Sequence, residues 1–130
     1  GTGQGLGPAR AAAAAKLRAA VAAEPFFVAG TGRFDTRAME VLRARAFIKT
    51  GAEGVYCAAL PELGLGIALK IDDGATRAAE TVMADLLRRF LPLSDAETAG
   101  LAAARAATLT NWNGYEVGAV RAALTSISAA

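Results

Sequence analysis

Histidine is absent from the chain and cysteine occurs once, at Cys57. Without a second thiol or any imidazole, the sequence can form no internal disulfide and no self-contained zinc site of the usual kind. A reducing, cytoplasmic setting fits that composition. No apolar stretch reaches the roughly 18 residues of a membrane-spanning helix. The alanine tract "ARAAAAAKLRAAVAA" is interrupted by Arg10, Lys16 and Arg18, and no signal-peptide arrangement is present, so no membrane partner is expected. Runs of like charge are missing too. The net charge is +2 and the pI near 9.0, but acidic residues are interleaved with basic ones, which argues against nucleic acid. Serine occurs only at Ser94, Ser126 and Ser128, and lysine only at Lys16, Lys49 and Lys70, against eleven arginines. A chain that uses arginine almost everywhere retains lysine at few places, and each invites a reason.

What is present fits one modest domain of 130 residues. The chain lacks an initiator methionine and opens on "GTGQGLG", so residues 1–7 read as a flexible connector and 8–130 as a folded segment of something longer. Pro8 occupies a first helical position, and the alanine-rich run to Ala23 stops at Glu24-Pro25. In "FFVAGTGRFDT" the glycines Gly30 and Gly32 break any regular element. That loop can shape a pocket through Arg33 or simply turn into a helix over Thr36 to about Ala44, with Asp35 as its cap. Two apolar runs, Gly54–Leu60 and Leu65–Ile71, flank the turn-like "PELG" and predict a β-hairpin. After Asp72-Asp73-Gly74, the one-face spacing of Ala75, Ala79, Val82, Met83, Leu86 and Phe90 predicts a helix that ends at Pro92. "SDAE" has the spacing of a capping box for a further helix, and Asn113-Gly114 marks a second hairpin.

With Pro61–Gly64 as the connection, Leu60 faces Leu65, Cys57 faces Ala68 and Val55 faces Lys70. One face of the hairpin then carries Tyr56, Ala58, Leu60, Leu65, Ile67, Leu69 and Ile71, a wall suited to a helical cover such as the 75–90 helix. The other face is made of small residues with Lys70 among them, leaving room for another layer or a ligand. A lysine that loses solvent there is pushed toward its neutral form and can serve as a general base. The competing reading is a strand-end lysine that reaches water or pairs with Asp72 or Asp73. Cys57 shares that face, as a reactive thiol or as a small buried hydrophobe.

The segments "PFFVAGTGRFDT", "KTGAEGVYCAALPELGLGIALKIDDGATRAAE" and "NWNGYEVGAVR" resemble the C-terminal part of the asparaginase II family, the Rhizobium-type L-asparaginases. The resemblance covers about Pro25 to Arg121. It implies an α/β (α+β) fold of the β-lactamase/transpeptidase type, an antiparallel sheet packed by helices, present here only as its C-terminal portion. Lys49-Thr50-Gly51 is similar to the K-[ST]-G strand motif of that superfamily. The implied activity is hydrolysis of the side-chain amide of L-asparagine by serine-lysine chemistry, with Lys70 in "GIALK" as the catalytic lysine. Lys49, Thr50 and Gly51 would bind substrate. Complete members carry an S-x-x-K nucleophile motif and a "CSGKH"-like segment in an N-terminal half, and neither occurs in this sequence. That half of the same fold is therefore the implied partner, and it would also supply the ligands of the zinc associated with complete members. The chain itself contributes no cofactor. Homo-oligomerisation stays open. The alternatives are a catalytically inactive interaction module derived from that family, or another penicillin-recognising serine-lysine acyl-transfer enzyme.

Overall fold

Alanine gives up almost no side-chain entropy in a helix, and proline is preset for its first turn. Together they place α1 at Pro8–Ala23, as the sequence predicts. The computed structural model describes residues 3–124. They divide into two compact units. One is made by the chain up to Gly51 together with Tyr56–Ala68, the other by Ala52–Val55 with the chain from Leu69 onward. Helices and antiparallel strands are mixed in the order α1, α2 (Phe26–Ala29), α3 (Phe34–Leu42), β1 (Phe47–Thr50), β2 (Val55–Leu60), β3 (Leu65–Lys70), α4 (Thr76–Phe90), α5 (Asp95–Arg105), β4 (Ala106–Thr110) and β5 (Glu116–Arg121).

In the first unit the sheet runs β1-β2-β3, with β1 antiparallel to β2 from Phe47 opposite Ala59 to Thr50 opposite Tyr56. β2 is central and its alternation is strict: Tyr56, Ala58 and Leu60 are buried, while Cys57 is exposed. Tyr56 of that row meets α3, whose Phe34, Met39 and Leu42 are each nearly sealed from solvent. The Phe34 and Tyr56 rings pack edge to face at 5.8 Å, an arrangement that aromatic quadrupoles favour. The turn expected at "PELG" is a short 3₁₀ segment, Pro61–Leu63, closed by Gly64 in the left-handed region.

α3 also closes the free edge of β1, which would otherwise present unpaired amides. The Ile48 amide donates to Met39 Sδ at 3.4 Å and the Thr50 amide donates to Asp35 Oδ2 at 2.7 Å. Four helical residues rise about 6 Å and two strand residues about 6.6 Å, so side chains one turn apart on α3 match alternate amides of the strand.

In the second unit α4 presents Ala79, Met83, Leu86 and Leu87 to its core, and its main neighbours are α5 and the β4–β5 hairpin. Thr81 Oγ1 donates to Ala104 O at 2.9 Å, and Asp85 reaches Arg105 of α5 at 3.6 Å. The capping box predicted at "SDAE" is present: the Glu97 amide donates to Ser94 Oγ at 3.3 Å and the Ser94 amide to Glu97 Oε2 at 2.7 Å. β4 and β5 pair antiparallel around the loop 111–115, with Gly114 at φ 81° as the Asn-Gly signal requires.

Two expectations are corrected. Asp35 does not cap a helix over 36–44: α3 begins one residue before it, Arg33 holds the cap position without a side-chain bond, and the carboxylate is spent on β1 and β2. The stretch read as wholly irregular contains the single helical turn α2, ended by Gly30 at φ 91°.

Candidate functional site

The side chains that the sequence singles out fall on the ends of β1 and β3. Lys49 and Thr50 close β1, and strand alternation turns them to opposite faces. Lys49 is exposed beside Cys57, its cross-strand partner on β2, and its amine donates to Thr50 O at 3.1 Å. Thr50 lies on the Tyr56 side, half-buried, and its hydroxyl donates to Gly51 O at 3.2 Å. The outer amides of β1 are taken by α3, so the strand edge is closed there, while Lys49 stands on the open small-residue face.

Behind this edge sits a buried carboxylate. Asp35 is wholly sealed from solvent and accepts the Tyr56 hydroxyl on Oδ1 and the Thr50 amide on Oδ2, each at 2.7 Å. Both oxygens are engaged in charge-assisted bonds, the condition under which a carboxylate tolerates burial. Sequence reasoning missed Asp35 and Tyr56 as a pair, because an aspartate in a first turn looks like a cap and a tyrosine in an apolar strand looks like core.

Lys70 ends β3 and belongs to the second unit. Of the two readings of its environment, the solvent-reaching strand end is the one found: the residue is exposed. Its partners are neither Asp72 nor Asp73 but two main-chain carbonyls, Glu53 O at 2.5 Å and Ile71 O at 2.7 Å. Asp73 instead accepts the Ala75 amide at 2.9 Å and turns the chain into α4. The carbonyls are fixed by a tight crossing in which the Ile71 amide donates to Gly54 O at 3.0 Å, the bond that the expected register of Val55 opposite Lys70 requires. Only glycine fits at position 54. Its φ is 72°, and a Cβ there would lie 3.0 Å from both the Gly74 carbonyl carbon and Ile71 Cβ.

The remaining candidates resolve simply. Cys57 is an exposed thiol and not a buried hydrophobe. Arg33 is exposed at the start of α3, and Gly30 and Gly32 take positive φ in the turn before it, so the loop-to-helix reading accounts for that stretch. Ser94 is engaged in its capping box, and Ser126 and Ser128 lie outside the described residues. For zinc the donor set does not fit: the sequence has no histidine, and no group of three His, Cys, Asp or Glu side chains among the described residues could hold a metal ion.

A family model described as L-asparaginase II matches residues 2–122. The chain belongs to the L-asparaginase II family. No curated protein matches it. Membership supports an asparaginase-like, amidohydrolase function in general, and no described helix is long and apolar enough to cross a membrane.

Proposed function

We propose that this chain is the lysine-bearing segment of an L-asparagine amidohydrolase and works with an S-x-x-K-bearing N-terminal half of the same β-lactamase-like fold. The family match over 2–122 carries the reading, and the absence of a free candidate nucleophile among the described serines directs it to a second segment. The reaction is a two-step acyl transfer. A serine oxygen from the other half attacks the side-chain amide carbon, ammonia leaves, and water hydrolyses the resulting acyl-enzyme to aspartate.

Lys70 is the proposed proton carrier. A neutral lysine amine has two N–H bonds and one lone pair. The carbonyls of Glu53 and Ile71 match those two donors, so the lone pair is aimed in the remaining direction, where a serine hydroxyl can deliver its proton. The same amine then hands the proton to the leaving nitrogen. Lys49 on the open face would hold the substrate carboxylate. Thr50 and Gly51 would set the strand end from which it projects. No step runs through zinc, whose ligands in this reading belong to the other half.

The test is steady-state kinetics on the full-length enzyme. Lys70→Met is expected to lower kcat by about 10²–10⁴-fold at unchanged Tm, while Lys49→Met raises KM. Wild-type turnover in Lys70→Met would leave the lysine a strand-end cap, and lost turnover accompanied by unfolding would make its role structural. Retained structure without asparagine hydrolysis in the wild type would favour the inactive interaction module.

A further inference from the structure

We infer that Glu53 is a substrate-binding residue whose carboxylate takes the α-ammonium of L-asparagine beside the Lys70 amine, an inference that rests on the proposed role of Lys70. The observations lie within the second unit, to which Ala52–Val55 and Lys70 both belong. Glu53 and Gly54 are consecutive residues with positive φ, 54° and 72°. Glycine enters that region freely, and asparagine or aspartate does so with help from a short polar side chain. Glutamate has neither advantage, so the turn itself gives no reason for it at position 53. The Glu53 carbonyl accepts from Lys70 Nζ at 2.5 Å, which sets this backbone against the amine. Gly74 packs along the same residue, since a Cβ at Gly74 would touch both Cα and Cβ of Glu53 at 3.5 Å. The base of the side chain is thus held on two sides while its head is free. Glu53 is exposed, and its carboxylate makes no hydrogen bond or ion pair among the described residues.

A main-chain contact therefore joins an amine and a carboxylate that do not neutralise each other, and L-asparagine suits such an arrangement. Its amide carbon and its α-nitrogen are separated by two carbon atoms and lie within about 4 Å of each other. With the amide at Lys70, where the proton is handed over, the α-ammonium falls within reach of a side chain that starts from the residue bonded to that amine. An ammonium offers three donors and a carboxylate only acceptors, so the contact is charge-assisted. Aspartate or asparagine at position 53 would ease the turn but shorten the reach by one methylene. Glutamate keeps the reach at the expense of backbone ease, which separates binding from stability. A residue that served the turn alone could be replaced by glycine without loss, and one that holds substrate could not.

The experiment compares L-asparagine with succinamate, which keeps the carboxylate and the side-chain amide and lacks only the α-ammonium. In the full-length enzyme, Glu53→Gln is expected to raise KM for L-asparagine about 10–100-fold with kcat within about twofold, since a contact to the α-ammonium acts equally on substrate and transition state. The Ki of succinamate as a competitor should stay within about twofold of wild type. Glu53→Gly should raise KM in the same way with Tm unchanged or higher, because glycine relieves the positive φ. Equal weakening of both compounds, or a KM that rises only as Tm falls, would overturn the inference by making the residue structural. So would an unchanged KM in either variant, or a wild type that binds succinamate as tightly as L-asparagine. A change confined to kcat, with a shifted pH profile at constant KM, would overturn it too by making the carboxylate a partner of Lys70 alone. All of these outcomes leave asparagine hydrolysis by the wild type standing. A folded full-length wild type that releases no ammonia from L-asparagine would instead sink the proposed function and take the role of Glu53 with it.

Discussion

Asp85 is the group on which the second unit should depend most visibly as pH changes. It lies on the inner side of α4 with its side chain only 11% exposed, and three guanidinium groups converge on it. Arg89, one turn further along α4, donates from Nε at 2.9 Å; Arg88 lies at 3.5 Å and Arg105 of α5 at 3.6 Å. Arg89 also donates to the carbonyl of Leu124, so the cluster ties α4, α5 and the segment after β5 together. Burial pushes the Asp85 carboxyl up, but the Arg89 hydrogen bond and then the fields of Arg89, Arg88 and Arg105 outweigh it and hold the group below its ordinary value of 3.8. A carboxyl depressed in the folded state contributes stability that is fully present above its unfolded value and is lost as pH falls through the folded one. Removing one partner of a buried pair costs about 3–5 kcal/mol. The arginines here keep between a quarter and under half of their side-chain surface in water, so we expect about 2 kcal/mol for Asp85→Ala near neutral pH. Asp85→Asn, which keeps one neutral acceptor for Arg89, should cost about 1 kcal/mol. The assay is urea denaturation of wild type and both variants at about pH 7 and about pH 3. The wild-type advantage should shrink at the lower pH. An Asp85→Ala variant as stable as wild type near neutrality, or a deficit that stays constant as the carboxyl protonates, would refute the argument.

Gly54→Ala should lower stability by about 1–3 kcal/mol, because it meets both a positive φ and a 3.0 Å contact with Gly74 and Ile71, and a thermal melt checks it. Ser94→Ala removes the reciprocal capping box and should cost about 1 kcal/mol, read as a drop in Tm. Lys16→Met, on an exposed face of α1, should change stability by less than about 0.5 kcal/mol and leave turnover untouched, which makes it the control for Lys70→Met.

The parts of the fold that were legible are those whose signal is local. Pro8 and Glu24-Pro25 bound α1, the Ser94 and Glu97 spacing opens α5, Gly64 and Gly114 mark turns, and the alternation of Tyr56, Ala58 and Leu60 sorts the faces of β2. What was not legible depends on partners distant in sequence. Asp35 carries the local signature of a cap, yet its bonds run 15 and 21 residues onward to Thr50 and Tyr56. At the candidate site the sequence drew attention to Lys49, Thr50, Gly51 and Lys70, but not to the fact that alternation turns Lys49 and Thr50 apart, nor to the two carbonyls that hold Lys70. The sequence left the solvent exposure of Lys70 open, because a small-residue face is buried only if something covers it.

The most direct measurement is ammonia release from L-asparagine by this chain alone, by an S-x-x-K-bearing N-terminal half alone, and by the two joined. The account expects turnover only in the joined protein, with none from the isolated chain above a Lys70→Ala control. Asparagine hydrolysis by the isolated chain, or its absence from a folded joined protein, would contradict it.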